Sequence, residues 1–262
     1  MINLIKSDLY RLFRSKTYKG CAIASLGVIT FVLGISIFTD VELWIMSFTG
    51  QDEVRRGFLI GLENATYFNE FIINALGAGA ALYIIAITLT SSVVISRRKS
   101  GIMKNTVAYG YERWKLYVSQ VISLIVGITI LVVITFLTIL LITCIVFKPS
   151  DINYEGVLLV VKSLILYICV ISSTVSIYVL LATLISNSEV ISVIAMCEML
   201  GLAMLGPFLP TAINNCIPYS MIRTVAQVPK NVNFVEYILN GSIIIIITSF
   251  IGILIFNKKE IK

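Results

Sequence analysis

Long apolar runs alternate with polar stretches along the chain, near residues 20–39, 71–96, 117–147, 157–185, 190–210 and 237–256. A helix needs roughly 20 apolar residues to cross a hydrocarbon core, so each run is long enough to span. The stretches Ile122 to Val146 and Ile243 to Phe256 are apolar on every side, whereas a membrane β-barrel shows alternating segments of about ten residues. The pattern therefore predicts six helical spans. The third and fourth runs exceed the requirement, and tilting, kinking or projection past the headgroups takes up the excess.

The polar stretches carry patterns of their own. Residues 1–17 place Ile2, Ile5, Leu9, Leu12 and Phe13 on one helical face, with Lys6, Asp8, Arg11 and Arg14 largely opposite. Such an amphipathic helix lies in the interface or extends span one into the cytosol. Residues 97–116 mix Ile102, Met103, Val107, Tyr109, Tyr111 and Trp114 among cations, which fits a short helix on a membrane or in a partner's groove, or a plain headgroup-contacting loop. Residues 40–70 read as a polar loop. The stretch 211–236 holds Pro218 and Pro229 and apolar pieces too short to span, the mixture of a re-entrant or interfacial hairpin. The connector from Ser186 to Glu189 is short enough to make spans four and five antiparallel neighbours.

Composition strengthens the membrane reading. With 58% hydrophobic and 13% charged residues, the chain has more apolar surface than a soluble domain of its size can bury. Histidine is absent, which removes the commonest general base and metal ligand and disfavours an enzyme. Cys21, Cys144, Cys169, Cys197 and Cys216 form no C-x-x-C pair, and four of the five fall inside apolar runs; they read as small buried apolar residues. The first ten residues lack the sequence of basic, apolar and small-residue regions that marks a cleaved signal peptide.

Charge sets the orientation. Fourteen of the twenty Lys and Arg residues precede span one, lie between spans two and three, or follow span six; the other six are Arg55, Arg56, Lys148, Lys162, Arg223 and Lys230. By the positive-inside rule both termini are cytoplasmic. Asp40, Glu42, Asp52, Glu53, Glu63, Glu70, Asp151, Glu155 and Glu236 then fall outside, in agreement. The net charge of +6 is a topology signal, and no aromatic-basic motif for nucleic acid accompanies it.

Two charges sit within spans. Lys162, near the outer end of span four, can snorkel outward. Glu198 lies deep in span five, where an ionisable group is costly in lipid and needs a partner helix or a wet path. Ala195, Gly201, Ala203 and Gly206 around it permit close helix approach. Packing with a hydrogen-bonded acid, a helix dimer interface and contact with a transported substrate all fit this pattern.

Two segments are similar to parts of one family. The start from Met1 to Lys16 resembles that of bacterial ABC permeases of the type-2 exporter class. The stretch from Gly101 to Asn105, followed by Gly110, Arg113 and Lys115-Leu116-Tyr117, resembles the cytoplasmic loop between their spans two and three. The resemblance implies an all-α integral membrane protein forming one permease domain over residues 1–262. Its parts would be an N-terminal interfacial helix, six spans, a coupling helix within 97–116 and short outer helices within 211–236. It also implies that Gly101, Lys104, Asn105, Tyr109, Tyr111, Arg113 and Trp114 belong to the segment that docks on a separate ATPase. The family's loops often carry an acidic residue four positions before the glycine; here that position is Arg97.

The chain has no G-x-x-x-x-G-K-[ST] phosphate loop, so it is not expected to cradle ATP itself. The resemblance places ATP and magnesium on the partner ATPase and pairs two permease copies, here a homodimer, with two ATPases in the bacterial plasma membrane. Members of this size export antimicrobial or cytolytic peptides, phenol-soluble modulins among them, confer lantibiotic immunity, or export drugs or lipids. An apolar lining with sparse acids suits an amphipathic peptide and also suits lipid. Two rival classes remain on the residues alone. A secondary transporter usually needs more intramembrane charge, and a non-transporting scaffold or sensor subunit would not need the basic-aromatic loop.

Overall fold

A computed structural model describes residues 1–38, 44–49, 55–59, 68–77, 79–148, 154–227 and 232–258. Asp40, Glu42, Asp52, Glu53, Glu63, Asp151, Pro229, Lys230, Lys259 and Lys262, assigned to sides or segments above, lie outside them. In chain order the elements are α1 (Ile2–Arg14), α2 (Lys16–Phe38), β1 (Trp44–Thr49), β2 (Arg55–Leu59), α3 (Phe68–Gly77), α4 (Gly79–Lys99) and α5 (Ile102–Ala108). Then follow α6 (Arg113–Val146), α7 (Tyr154–Leu184), α8 (Ser188–Leu205), α9 (Thr211–Asn214), α10 (Pro218–Gln227) and α11 (Phe234–Lys258).

Five stretches of helix among the described residues are long and apolar enough to cross a membrane: Lys16–Gly34, Ala75–Lys99, Arg113–Val146, Tyr154–Leu184 and Phe234–Lys258. By length and composition they mark a multi-pass membrane protein. The 34 residues of α6 reach about 51 Å at the helical rise, well beyond a hydrocarbon core of about 30 Å. Its excess extends toward the basic loop, so Arg113 and Trp114 form its first turn. The fifth run does not stay one helix to residue 210. The α8 helix has 18 residues, about 27 Å, and Pro207 turns the chain into a 3-10 segment at Gly206–Phe208 because proline cannot continue the hydrogen-bond ladder.

The all-helical expectation needs one correction. Within 40–70, β1 and β2 pair antiparallel, with Trp44 opposite Leu59 and Thr49 opposite Arg55, and the register shifts between Ile45 and Ser47. This ribbon lies against α8, and β2 also meets α3 and α10. The run Trp44-Ile45-Met46-Ser47-Phe48-Thr49 is rich in residues that favour strands, a signal masked by the polar residues around it.

Helix α7 is the hub, touching α3, α4, α6, α8, α10 and α11. Its inner face carries buried Ser163, Ser172, Ser173, Thr174, Ser176 and Thr183. Small side chains let neighbours approach closely. The hydroxyls of Ser172, Ser173, Thr174 and Thr183 donate to carbonyls three or four residues back, so the helix satisfies them itself. Ser176 also reaches Thr248 on α11 at 2.6 Å. Glycines serve the same packing: a Cβ on Gly241 of α11 would lie 2.7 Å from Cys169 Sγ.

Buried tyrosines tie helices together, each presenting a large apolar ring and a polar tip. Tyr18 of α2 donates to the Gly127 carbonyl of α6 at 3.0 Å, and Tyr167 of α7 donates to the Leu76 carbonyl of α3 at 2.8 Å. Cysteine burial departs from expectation. Cys21 is buried, but Cys144 and Cys197 are exposed because the apolar runs turn a whole face of their helices outward, and Cys216 is exposed in the turn between α9 and α10.

Helix α1 has an inward side that the sequence reading did not mark. The face of α1 that packs on α6 carries Leu4, Asp8 and Leu12, while Ile2 and Phe13 are exposed. Asp8 is therefore an inward group. Its burial is tolerated because both carboxylate oxygens find partners.

Candidate functional site

Helices α4 and α6 are joined by residues 100–112, and α5 lies inside this connection. Gly101 and Gly110 bracket α5 with φ of +70° and +87°, a left-handed conformation that glycine adopts without steric cost. Two such turns let a seven-residue helix stand across the ends of two long ones. Met103 is its buried anchor, while Lys104, Asn105 and Tyr109 are exposed, Tyr109 at 84%.

The cations around this helix hold structural contacts. Arg98 donates to the Thr183 carbonyl at the end of α7 at 3.4 Å, and Arg113 donates to the Asn257 carbonyl at the end of α11 at 3.1 Å. Both satisfy carbonyls that a helix C-terminus leaves unpaired and complement its partial negative charge. Arg97 reaches α1, pairing with the Asp8 carboxylate at 3.3 Å and donating to its backbone carbonyl at 3.1 Å. Arg97, four positions before Gly101, is thus a base whose acid comes from α1. Through these arginines the helices that flank the connection, α4 and α6, are tied to α1, α7 and α11.

Trp114 Nε1 donates to Glu112 Oε2, and Lys115 Nζ donates to Glu112 Oε1 at 2.9 Å while standing 5.4 Å from the Trp114 ring centre. Hydrogen bonds from Lys115 and Trp114 hold the Glu112 carboxyl below its ordinary value. Of the residues named for docking, Lys104, Asn105 and Tyr109 form an exposed surface, and Tyr111 and Trp114 are exposed beside it. Gly101 shapes the turn, and Arg113 is engaged with the Asn257 carbonyl.

Glu198 lies far from this platform. Tyr83 of α4 donates to its Oε1 at 3.0 Å and Tyr178 of α7 donates to its Oε2 at 2.7 Å. Two phenol donors stabilise a carboxylate that would otherwise be costly in an apolar setting. Tyr219 of α10 stacks at a tilt on Tyr83, with ring centres 5.5 Å apart. Arg223, one turn further along α10, donates to the Leu202 carbonyl of α8 at 3.3 Å. Burial pushes the Tyr219 phenol above its ordinary value, Arg223 opposes that shift, and Glu198 adds to it. Half-buried Glu198 is thus the meeting point of three helices. The sequence marked the acid but not its tyrosines.

At the opposite end from the basic loop, Asn215 joins the 211–236 segment to α11. It donates to Glu236 Oε1 at 2.8 Å, accepts from the Tyr237 hydroxyl at 3.1 Å, and its carbonyl accepts from Asn240 at 2.9 Å. Asn214 donates to the Gly206 carbonyl at 2.7 Å. These asparagines went unmarked in the sequence, where no local pattern distinguishes them from other loop polar residues. Among the described residues no group of three or more His, Cys, Asp or Glu is placed to hold a metal ion.

No protein-family model matches the chain, and no curated protein matches it.

Proposed function

We propose that this chain is the permease subunit of an ATP-driven exporter in a bacterial plasma membrane. In this reading α8 is the sixth span and both termini are cytoplasmic. Two copies of the chain work with two separate ATPase subunits, which carry the ATP and magnesium. The observation that carries the reading is the braced connection around α5. Arg97 and Arg98 at the end of α4 and Arg113 at the start of α6 tie the two helices that flank the exposed α5 to α1, α7 and α11, so a push from a docked protein would reach several long helices at once. A plain headgroup loop has no use for that bracing.

The pairing of two permease copies is supported by the outer face of α2. A Cβ on Gly20, Gly27 or Gly34 would meet nothing within 4 Å, which leaves room for a helix of a second copy. The cargo we favour is an amphipathic peptide, whose apolar side suits the spans and whose cationic side suits Glu198 as the single deep acid.

The test uses Lys104 and Tyr109, whose exposure leaves folding unaffected when they change. Replacing both, Lys104→Glu with Tyr109→Ala, is expected to remove the co-purifying ATPase and its cargo-stimulated turnover while insertion stays normal. Retention of the ATPase with full stimulated hydrolysis would refute the docking assignment. If no ATPase co-purifies with the unaltered chain, the exporter reading loses to a membrane scaffold.

A further inference from the structure

Lys104 and Ala108, and likewise Asn105 and the C-cap residue Tyr109, are i, i+4 pairs on one exposed face of α5. Lys99 is exposed at the end of α4 just before it, and exposed Arg11 of α1 lines the same cleft as Thr106 of α5 and Tyr111. Lys99 and Lys104 make no ion pair with a described residue. The acids close by are already engaged, Asp8 by Arg97 and Ser119 and Glu112 by Lys115 and Trp114. Glu189 sits in the first turn of α8, where the helix N-terminus offsets its charge. The α5 platform therefore presents unopposed positive charge around an aromatic tip.

Depth separates the two takers such charge can have, lipid headgroups and a protein. Arg113 lies nine residues before Ile122, where the all-apolar run of α6 begins, a distance of about 13 Å at the helical rise. The headgroup layer beyond the hydrocarbon core is roughly 5–8 Å deep on each side. The corner between α5 and α6 therefore stands clear of the headgroups. Tyr109, 84% exposed at that corner, projects where a protein surface can cover it and lipid cannot.

We infer that the protein docking on α5 does so through an acidic groove, whose carboxylates take Lys99, Lys104 and Arg11 while an apolar floor takes the Tyr109 ring. The inference rests on the exporter reading and gives its ATPase a surface chemistry. Charges at the rim of an interface set the association rate and its salt dependence, while an aromatic anchor supplies the buried area.

The full chain and its co-purifying ATPase are tested together in phosphatidylcholine nanodiscs. A carbodiimide, which joins an amine to a carboxylate in direct contact, is expected to link Lys99 or Lys104 to an Asp or Glu of the ATPase, read by mass spectrometry. Raising salt from about 0.05 to 0.5 M is expected to weaken ATPase binding by about tenfold or more. Lys99→Gln with Lys104→Gln is expected to weaken binding about tenfold at low salt and to flatten that dependence, whereas Lys99→Arg with Lys104→Arg preserves both. An ATPase that binds equally at all salt concentrations and to both double variants, with no lysine–carboxylate link, overturns the acidic groove and leaves the exporter reading standing. In discs containing phosphatidylglycerol, loss of retained lipid in the glutamine pair with unchanged ATPase affinity assigns the cations to headgroups and also overturns the inference. Absence of any ATPase from the purified unaltered chain overturns both.

Discussion

Arg97 at the end of α4 grips Asp8 of α1 twice, Nη1 on a carboxylate oxygen at 3.3 Å and Nη2 on the backbone carbonyl at 3.1 Å. Their side chains are 10% and 12% exposed, so water does little to screen the pair. Removing one partner leaves the other charge buried and unmatched, at a cost of about 3 kcal/mol. Asp8→Ala is therefore expected to lower the melting temperature of the purified protein markedly. The double replacement Asp8→Leu with Arg97→Met recovers most of the loss because no lone charge remains. Equal melting of Asp8→Ala and the unaltered chain would show that the pair contributes nothing.

Tyr117 of α6 is fully buried and its hydroxyl has no hydrogen-bond partner. It fits against α11 only because residue 252 is glycine: a Cβ there collides with the hydroxyl. Gly252→Ala is expected to destabilise by about 1–3 kcal/mol through overpacking. Tyr117→Phe removes an unsatisfied buried group and is expected to melt at or above the unaltered protein. Combined, the two changes should destabilise less than Gly252→Ala alone. A clear loss of stability in Tyr117→Phe would contradict the unpaired state of that hydroxyl.

The tyrosine pair around Glu198 makes a separable prediction about stability and function. Tyr83→Phe and Tyr178→Phe each remove a hydrogen bond to a charged group and are expected to cost about 2 kcal/mol. Glu198→Gln keeps an acceptor for one phenol and turns its NH2 donor toward the oxygen of the other, while Glu198→Ala strands both and costs more. Cargo-stimulated ATP turnover in Glu198→Gln reads the functional role on a folded background. Wild-type assembly and transport in both Glu198→Gln and Glu198→Ala would leave the residue no part in the transport path or in dimer formation.

Orientation is checked at Asn105, which is exposed on α5. In a cysteine-free background, Asn105→Cys is expected to resist a membrane-impermeant thiol reagent in intact cells and to react after permeabilisation. Strong labelling in intact cells would reverse the assigned topology.

Much of the architecture is legible one segment at a time. The short connector at 186–189 forms the expected turn, with Asn187 Oδ1 accepting from the Glu189 amide at 3.0 Å as a helix cap. A short helix does form within 97–116, and amphipathic α10 occupies part of 211–236. The ribbon at Trp44–Leu59 and the inward face of α1 were not legible. Strand pairing within a polar stretch carries a weak local signal, and Asp8 looks like a solvent residue until Arg97 and Ser119 are brought to it.

By itself the sequence determined that this chain is built from long apolar helices and where most of them begin and end. Hydrophobic length is a local property, and in lipid the backbone must satisfy its hydrogen bonds within each helix. Tertiary structure alone decided what the polar residues do. Arg97 is 89 residues from Asp8, Tyr83 is 115 from Glu198, and Arg113 is 144 from the carbonyl it caps. Each pairing depends on which helices become neighbours, and runs that are apolar on all sides carry no face to specify that arrangement in advance.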